Sequence, residues 1–363
     1  MTKIKIVGIL TGGGDCPGMN AVIRAAAKTA INDYNLKVIG FKDGYEGLVE
    51  KYYRELTLAD ASGILTLGGT ILGTSNRANP FAYAVKEGKK IVCRDFSQKA
   101  LDNLRDLGID ALICVGGDGT LTSARDLFRR GAKVVGVPKT IDNDLSGTDV
   151  TFGFDSALST ATEAIDKIHT TAISHHRVMV IEVMGRYAGW LALEAGLAGG
   201  GDVILIPEIP YQIEKICQTV LKREEQGKRF SIIVIAEGAH PKGGKVVVKR
   251  RIETSPDSVR LGGIGNQVAG EIEERTGIAT RVTVLGHLVR GGTPTAFDRI
   301  LATRYGSEAV HMLMRAKFGC MVSLKGQNLV SVSLEEAVGK LRTVPINSPL
   351  IKLGRSLGVC MGN

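Results

Sequence analysis

A chain of 363 residues with 44% hydrophobic content can hold one large domain or two ordinary ones around a sizeable core. Its formal net charge of +9 admits nucleic acid, an anionic membrane surface or anionic metabolites as partners. The one dense basic run, Lys245–Arg251, lacks the interleaved aromatics that nucleic acid calls for and reads as a solvated surface strand, so neither nucleic acid nor a membrane is expected.

The six cysteines lie far apart with no CxxC pair, which argues against a disulfide frame or zinc site and for a reducing compartment. No apolar run approaches transmembrane length, and the N-terminus enters a strand without a signal peptide, so a cytoplasmic location is expected. The 46 glycines suit tight turns and close backbone approaches to ligands.

Ile4–Leu10 reads as a buried strand running into TGGGDCPGMN, and Met19–Ile31 carries Val22, Ala25, Ala26 and Ala30 at helical spacing. Strand, glycine loop and helix form the unit that opens nucleotide-binding α/β folds. It is neither GxxxxGK[ST] nor GxGxxG, so a P-loop or dinucleotide fingerprint is unsupported, and a plain tight turn remains the alternative. Lys37–Phe41 is a second strand, followed by DGYEGL. The loop LGGTILGTSNR then ends at Arg77, either as a surface turn or as a guanidinium swung over a polyphosphate.

After a helix at Gln98–Leu107, Ala111–Val115 and Lys133–Val137 read as buried parallel strands, each stopping at a loop rich in glycine or carboxylates. Gly116, Gly117 and Gly119 leave N–H groups bare, and a helix from Thr120 to Arg130 aims its positive end at the same place, which favours an anion such as phosphate. Asp118 can hold the Mg²⁺ that phosphates carry. The second loop offers Lys139, Thr140, Asp142, Asn143 and Asp144. Parallel strands open their ends onto one crevice, so a phosphate cradle, a metal carboxylate and a candidate base fall side by side. Phosphoryl transfer to a hydroxyl needs that combination.

Further on, the alternation continues with helix Ser156–Ala172 and strand Val178–Val183. His175 and His176 are adjacent and point apart, which disfavours a metal pair, and Arg177 is their more interesting neighbour. MGRYAGW puts Arg186 at a strand-to-helix junction facing the crevice. Helix Tyr187–Leu197, strand Val203–Pro207, helix Ile213–Gln226 and strand Ser231–Ala236 follow. Glu237, directly after that strand, reads as a polyol contact or a surface acid. His240–Gly263 breaks the rhythm as an exposed hairpin or flap, and helix Gly265–Arg275 and strand Arg281–Leu285 restore it. GHLVRGGTPTAFDR carries His287 and Arg290 before a glycine pair, ahead of a helix from Ala296 to about Lys317. No serine or cysteine has the partners of a nucleophilic triad. The tail holds a capping-box helix, Ser333–Leu341, and then Pro345 and Pro349 break the chain before a short amphipathic end.

GGGDCPGMN, GGDGT, PKTIDND, MGRYAGW and GHLVRGG, in this order and spacing, resemble the phosphofructokinase family from Ile4 to Gln327. The resemblance implies an α/β fold of two similar three-layer domains with mainly parallel sheets and the active site in the cleft between them. It assigns 1–138 to the phosphoryl donor and 139–320 to fructose 6-phosphate, with 321–363 packing back. It also implies that the Gly13 amide meets the transferred phosphate, that Arg77 grips the donor, and that Gly117, Asp118, Gly119 and Thr120 line the donor site with Asp118 on Mg²⁺. Thr140, Ile141 and Asp142 would meet the sugar, with Asp142 as the base at its 1-hydroxyl. Arg186 would stabilise the transferring phosphoryl, Met184 and Gly185 would line the sugar, and Glu237 would bind its hydroxyls. His287, Leu288, Val289 and Arg290 would form the 6-phosphate loop. Arg177 and Arg281 match residues that the family contributes across a subunit interface, which implies a homo-oligomer, a dimer or a tetramer.

The chain departs from the family pattern at Val289, where glutamine is usual, and at Lys139, where lysine is typical of pyrophosphate enzymes and glycine of bacterial ATP enzymes. His169 and Lys28 stand where regulated bacterial enzymes often have effector-site arginines, although Arg24, Lys228 and Arg229 are present. Gly119 leaves room for a nucleotide, whereas pyrophosphate enzymes usually carry aspartate there. The expected donor is therefore ATP with Mg²⁺, with pyrophosphate as the alternative. A non-catalytic sugar-phosphate sensor on the same fold would be signalled by loss of Asp118 or Asp142, and both are present. Another kinase with a GGDGT loop leaves MGR and GHLVRGG unexplained.

Overall fold

The computed structural model describes residues 4–88, 90–251 and 259–363. The chain begins with β1 (Ile6–Thr11), α1 (Met19–Tyr34), β2 (Lys37–Phe41), α2 (Tyr45–Glu50) and β3 (Tyr53–Glu55). A hairpin, β4 (Tyr83–Glu87) and β5 (Lys90–Arg94), precedes α3 (Ser97–Asp106), β6 (Ala111–Gly116), α4 (Asp118–Arg129) and β7 (Val134–Pro138). Next come α5 (Phe154–His175), β8 (Val178–Val183), α6 (Trp190–Ala198), β9 (Val203–Leu205), α7 (Ile213–Glu225) and β10 (Ser231–Ala236). The hairpin β11 (Val248–Arg251) and β12 (Val259–Leu261) leads to α8 (Ile264–Thr276), β13 (Thr280–Val284) and a 3₁₀ turn over Gly286–Arg290. The chain ends with α9 (Ala296–Met314), β14 (Cys320–Lys325), β15 (Asn328–Ser333), α10 (Leu334–Ala337) and α11 (Pro349–Ser356).

The first sheet has seven strands in the order β15-β14-β7-β6-β1-β2-β3. Its interior pairs are parallel, and it turns antiparallel only at its two edges. A second sheet of four strands, β13-β8-β10-β9, is parallel throughout. The central strands are buried on both faces, which is why they read as unbroken apolar runs. On β10, Ile232, Val234 and Ala236 face one core and Ile233 and Ile235 the other.

Three layers stack around each sheet, as expected for the fold class. A shared central core takes α1, α5, α6 and α9 together with one face of each sheet. The outer face of the first sheet is covered by α2, α3, α4 and α10, and that of the second by α7 and α8. Sequence order and spatial order part company late in the chain: α9 lies along α1, and β14 and β15 then extend the first sheet.

Several element ends differ from the sequence reading. Helix α4 starts at Asp118, two residues early, and α6 starts only at Trp190 because Met184–Arg186 are used in a bend with Gly185 at φ 140°. The capping-box helix is a single turn in which Ser333 accepts from Glu336 N–H. Pro349 does not break the chain; it sits at the start of α11, where its missing N–H costs nothing, with Ser348 as the cap. The hairpin expected within His240–Gly263 is formed by β11 and β12, and its residues 252–258 lie outside those described. All six cysteines are unpaired, and among the described residues no helix is long and apolar enough to cross a membrane.

The α1–α9 contact is close because Gly306 faces Val22 across it: a Cβ there would stand 2.5 Å from the Val22 carbonyl oxygen. A backbone oxygen cannot step aside as a flexible side chain can. Gly306→Ala should lower stability by about 1–3 kcal/mol, the usual cost of overpacking. Gly270→Ala on α8, where a Cβ meets nothing within 4 Å, should be neutral or stabilising. Thermal melts of the two variants beside the parent check the contrast.

Candidate active site

Strands β1, β6, β7, β8, β10 and β13 end toward a single cleft of about 840 Å³, and the loops that follow them line it. The first sheet contributes Gly13, Gly117, Asp118, Gly119, Thr120, Lys139, Thr140 and Asp142, with Arg77 from the loop before β4. The second contributes Met184, Arg186, Glu237, His287 and Arg290. Most residues singled out in the sequence therefore meet, although they span much of the chain.

On the glycine-loop side, the Thr120 side chain fills the gap between Gly12 and Gly116, so neither position has room for a Cβ. Tyr45 braces this loop from below by donating to the Thr120 carbonyl (2.8 Å). Gly14 is pressed against Arg290, whose Nη1 donates to the Asp15 carbonyl (3.1 Å), and a Cβ on Gly14 would lie 2.5 Å from that nitrogen. Lys139 is buried, and its ammonium donates to the Gly14 carbonyl. Burial pushes its pKa down. The Gly13 amide donates to the Ser75 carbonyl (3.1 Å), a bond it must exchange to meet a ligand. Helix α4 opens at Gly117 without a side-chain cap, leaving its positive end to the cleft. Asp118 Oδ1 accepts from Gly339 N–H (3.1 Å). A Cβ on Gly119 would meet nothing within 4 Å, so a side chain there would enter open space.

Facing this cradle, the loop after β7 is held tightly. The Thr140 hydroxyl accepts from Asp142 N–H (3.0 Å) and hydrogen-bonds Asp144. Thr151 Oγ1 donates to the Thr140 carbonyl (2.8 Å), and Thr151 N–H donates to Asn143 Oδ1 (3.1 Å). Asn143 takes a left-handed backbone, φ 50°, one of the few side chains that tolerates it. Among the described residues, Asp142 Oδ1 is buried with no hydrogen-bond partner. Burial first, and then the charge of Asp144, raise the Asp142 pKa to about 7, while Arg290 and Lys139 pull the other way. Burial also raises Glu237, offset mainly by Arg186, and raises Asp144. Arg186 lies over the Tyr187 ring, 5.6 Å from its centre. A carboxyl poised near neutrality with a bare oxygen can take a proton from a bound hydroxyl.

Other expected residues stand elsewhere. Ile141 and Val289 bury their side chains in the core, so only their backbone can serve a ligand, and Leu288 is exposed beside the cleft rather than in it. Gly185 lies beneath the lining, its carbonyl accepting from Gly238 N–H (3.1 Å). Arg177 precedes β8 and Arg281 is near the start of β13, at the strand ends away from the cleft. At ~3.3 Å per residue, Arg177 is roughly 20 Å along the strand from Met184. Thr74, Ser75, Asn79, Tyr187 and Leu261 line the cleft without having been singled out. Leu261 belongs to the β11–β12 hairpin, whose polar sequence gave no sign that it borders a site.

Among the described residues no three His, Cys, Asp or Glu side chains gather to hold a metal by themselves. Asp118 therefore fits an ion that arrives with phosphates, as Mg²⁺ does, rather than one caged by protein.

Two parallel-centred sheets that turn glycine loops, arginines and a buried carboxyl onto one cleft define an α/β protein suited to phosphorylated ligands. The chain belongs to the phosphofructokinase family, whose model, "Phosphofructokinase", matches residues 6–313. It is 54% identical over 361 residues to a Clostridium perfringens protein named ATP-dependent 6-phosphofructokinase 2, covering 99% of each chain. It is 52% identical over 340 residues to an Amycolatopsis methanolica protein named pyrophosphate–fructose 6-phosphate 1-phosphotransferase, covering 93% of this chain and 96% of that one. Among solved structures, Pichia pastoris phosphofructokinase matches at a TM-score of 0.78 and 36% identity, over 93% of this chain and 36% of that longer one.

The Asp142 carboxyl makes stability depend on pH in a defined sense. Its folded pKa, about 7, lies above the ordinary value near 4 of an unfolded chain. Its favourable contribution is thus present below about pH 4 and lost as pH rises through about 7. Asn stays neutral. The Tm advantage of Asp142→Asn over the parent should therefore grow across that window and level off above it, which melts at several pH values between 4 and 8 would trace.

Proposed function

We propose that the protein transfers the terminal phosphoryl group of ATP to the 1-hydroxyl of fructose 6-phosphate, giving fructose 1,6-bisphosphate in glycolysis. The observation that carries this reading is the buried, unpartnered Asp142 oxygen facing a glycine cradle across one cleft. Asp142 takes the proton of the attacking hydroxyl, and Thr140 holds the base by its amide. Arg186, the Gly13 amide and the first turn of α4 stabilise charge on the transferring group. Arg77 grips the donor phosphates. Arg290 and His287 take the 6-phosphate, Glu237 the sugar hydroxyls, and Met184 the ring. Asp118 would hold Mg²⁺, which when bound neutralises phosphate charge.

ATP is favoured over pyrophosphate by the open space at Gly119 and by the name of the Clostridium perfringens relative. The pyrophosphate reading has Lys139 and the Amycolatopsis methanolica relative on its side. Lys139 also has a local task, however, as the ammonium tied to the Gly14 carbonyl.

The proposed organisation is a donor half, 1–138, and an acceptor half, 139–320, with 321–363 packing back. In sequence α9 belongs to the acceptor stretch, yet it packs on α1 of the donor half. The working form is a cytoplasmic homo-oligomer, a dimer or tetramer, in which Arg177 and Arg281 serve a neighbour's cleft. Their distance from their own cleft supports that role.

Purified protein with fructose 6-phosphate and Mg²⁺ should turn over with ATP and much less with pyrophosphate. Asp142→Asn should lower kcat by roughly two to four orders of magnitude with little change in the sugar KM. Gly119→Asp should abolish ATP use while sparing fructose 6-phosphate binding, and Lys139→Gly should retain it. A parent enzyme that prefers pyrophosphate would refute the steric argument.

Mixing inactive Asp142→Asn subunits with Arg177→Ala subunits should restore some activity, because a hybrid interface can contain one intact site. A mixture that exchanges subunits yet stays inactive would mean that each site is built from a single chain.

A further inference from the structure

Behind the loop that carries Asp142, the C-terminal segment crosses from one half of the molecule to the other. Gly339 N–H reaches Asp118 (3.1 Å), and Ser146 donates to the Lys340 carbonyl (2.6 Å). Leu341 forms a bridge with Leu145. Arg342 then grips the loop with both backbone and side chain: its N–H donates to the Asp144 carbonyl (2.8 Å) and its Nη1 to the carbonyls of Asn143 (3.3 Å) and Asp149 (2.9 Å). Its other side is fixed to the second half. The Arg342 carbonyl accepts from Trp190 Nε1 (2.9 Å), and the guanidinium lies 4.6 Å from the centre of the Trp190 ring. Val344 N–H donates to Glu208 (2.7 Å), which also accepts from Gly189 N–H (3.0 Å) at the head of α6.

Arg342 does not line the cleft, so it touches no ligand there. It instead holds the peptide groups immediately after Asp142, at carbonyls that Thr151 does not bond. That stretch includes the left-handed Asn143, a backbone state that persists only when its surroundings over-determine it. A displacement of about 1 Å in such a loop can cost about a hundredfold in rate.

We propose that Arg342 is a positioning residue for the reaction: through the carbonyls of Asn143 and Asp144 it sets the Asp142 loop, and through Trp190 it locks that setting to α6, which packs on the second sheet. The proposal rests on the phosphotransferase reading above, and its test keeps the two separable. Arg342→Met keeps the side-chain stem and the backbone bond to Asp144 but removes the guanidinium donors to the Asn143 and Asp149 carbonyls. It should lower kcat about tenfold to a hundredfold while leaving KM for sugar and donor within about threefold. Arg342→Lys should recover part of the loss, and Trp190→Phe, which keeps a ring but drops the Nε1 bond, should show a smaller fall of the same kind. Hydrogen–deuterium exchange read by mass spectrometry should quicken in peptides covering 139–146 of Arg342→Met and stay unchanged in the β8–β10 core.

Unchanged kcat in Arg342→Met, or exchange that quickens everywhere with KM and Tm moving together, would overturn the proposal. If the Met variant does not fold, parental kcat in both Arg342→Lys and Trp190→Phe overturns it. A parent protein inactive with every phosphoryl donor would defeat the functional reading instead, while the exchange measurement would still report on the brace.

Discussion

Burial of the Asp142 carboxyl with one oxygen left bare is the constraint around which the rest of the site is arranged. An ionised carboxylate in such a place is strongly disfavoured, and Asp144 close by makes it worse. Among the described residues Asp142 has no salt-bridge partner, which would lower its pKa and make it a poor base. The chain spreads partial compensation over Lys139 and Arg290 and invests in holding the backbone: Thr140, Asn143 and Thr151 bind the loop from within.

The same loop explains why the two halves are tied by polar contacts at the cleft. Arg290 comes from the second half, yet its guanidinium packs on Gly14 and donates to the Asp15 carbonyl of the first. That approach is possible only because position 14 has no side chain. A neutral carbonyl is a weaker partner for a guanidinium than a phosphate is, so a phosphate entering here can take over a cation already aimed within reach. The Gly13 amide and the Ser75 carbonyl stand in the same relation.

What the sequence revealed follows from how local each signal is. The doubly buried strands announce themselves as apolar runs, and glycine loops at their ends fix where the cleft lies, so most of the cleft residues could be named in advance. The strands β3, β4, β5 and β15 could not, because they are short or exposed and polar residues interrupt or flank their apolar positions. Motif membership also overstated some side chains: Ile141 and Val289 sit inside site loops but point into the core. Arg342 was invisible for the opposite reason. It lies in LRTVPINSP, a stretch with no motif, and matters only because the chain returns 199 residues later to the loop it holds.

Lys139 and Gly119 show why the phosphoryl donor is harder to read than the reaction. On the proposed function, any donor brings at least two linked phosphates to the cradle. A cation beneath the glycine loop favours all of them, since Coulombic attraction at this range does not distinguish what lies beyond the second phosphorus. Lys139 is placed for that general task, buried and bonded to the Gly14 carbonyl, with its Nζ only 3.5 Å from where a Gly13 Cβ would be. Discrimination has to come from shape at the point where a nucleotide continues and a pyrophosphate stops. Gly119 lines the cleft, adopts a backbone that does not require glycine, and has open space where a side chain would go. Its missing side chain serves no packing or turn, which leaves room for the ligand as the physical reason for it.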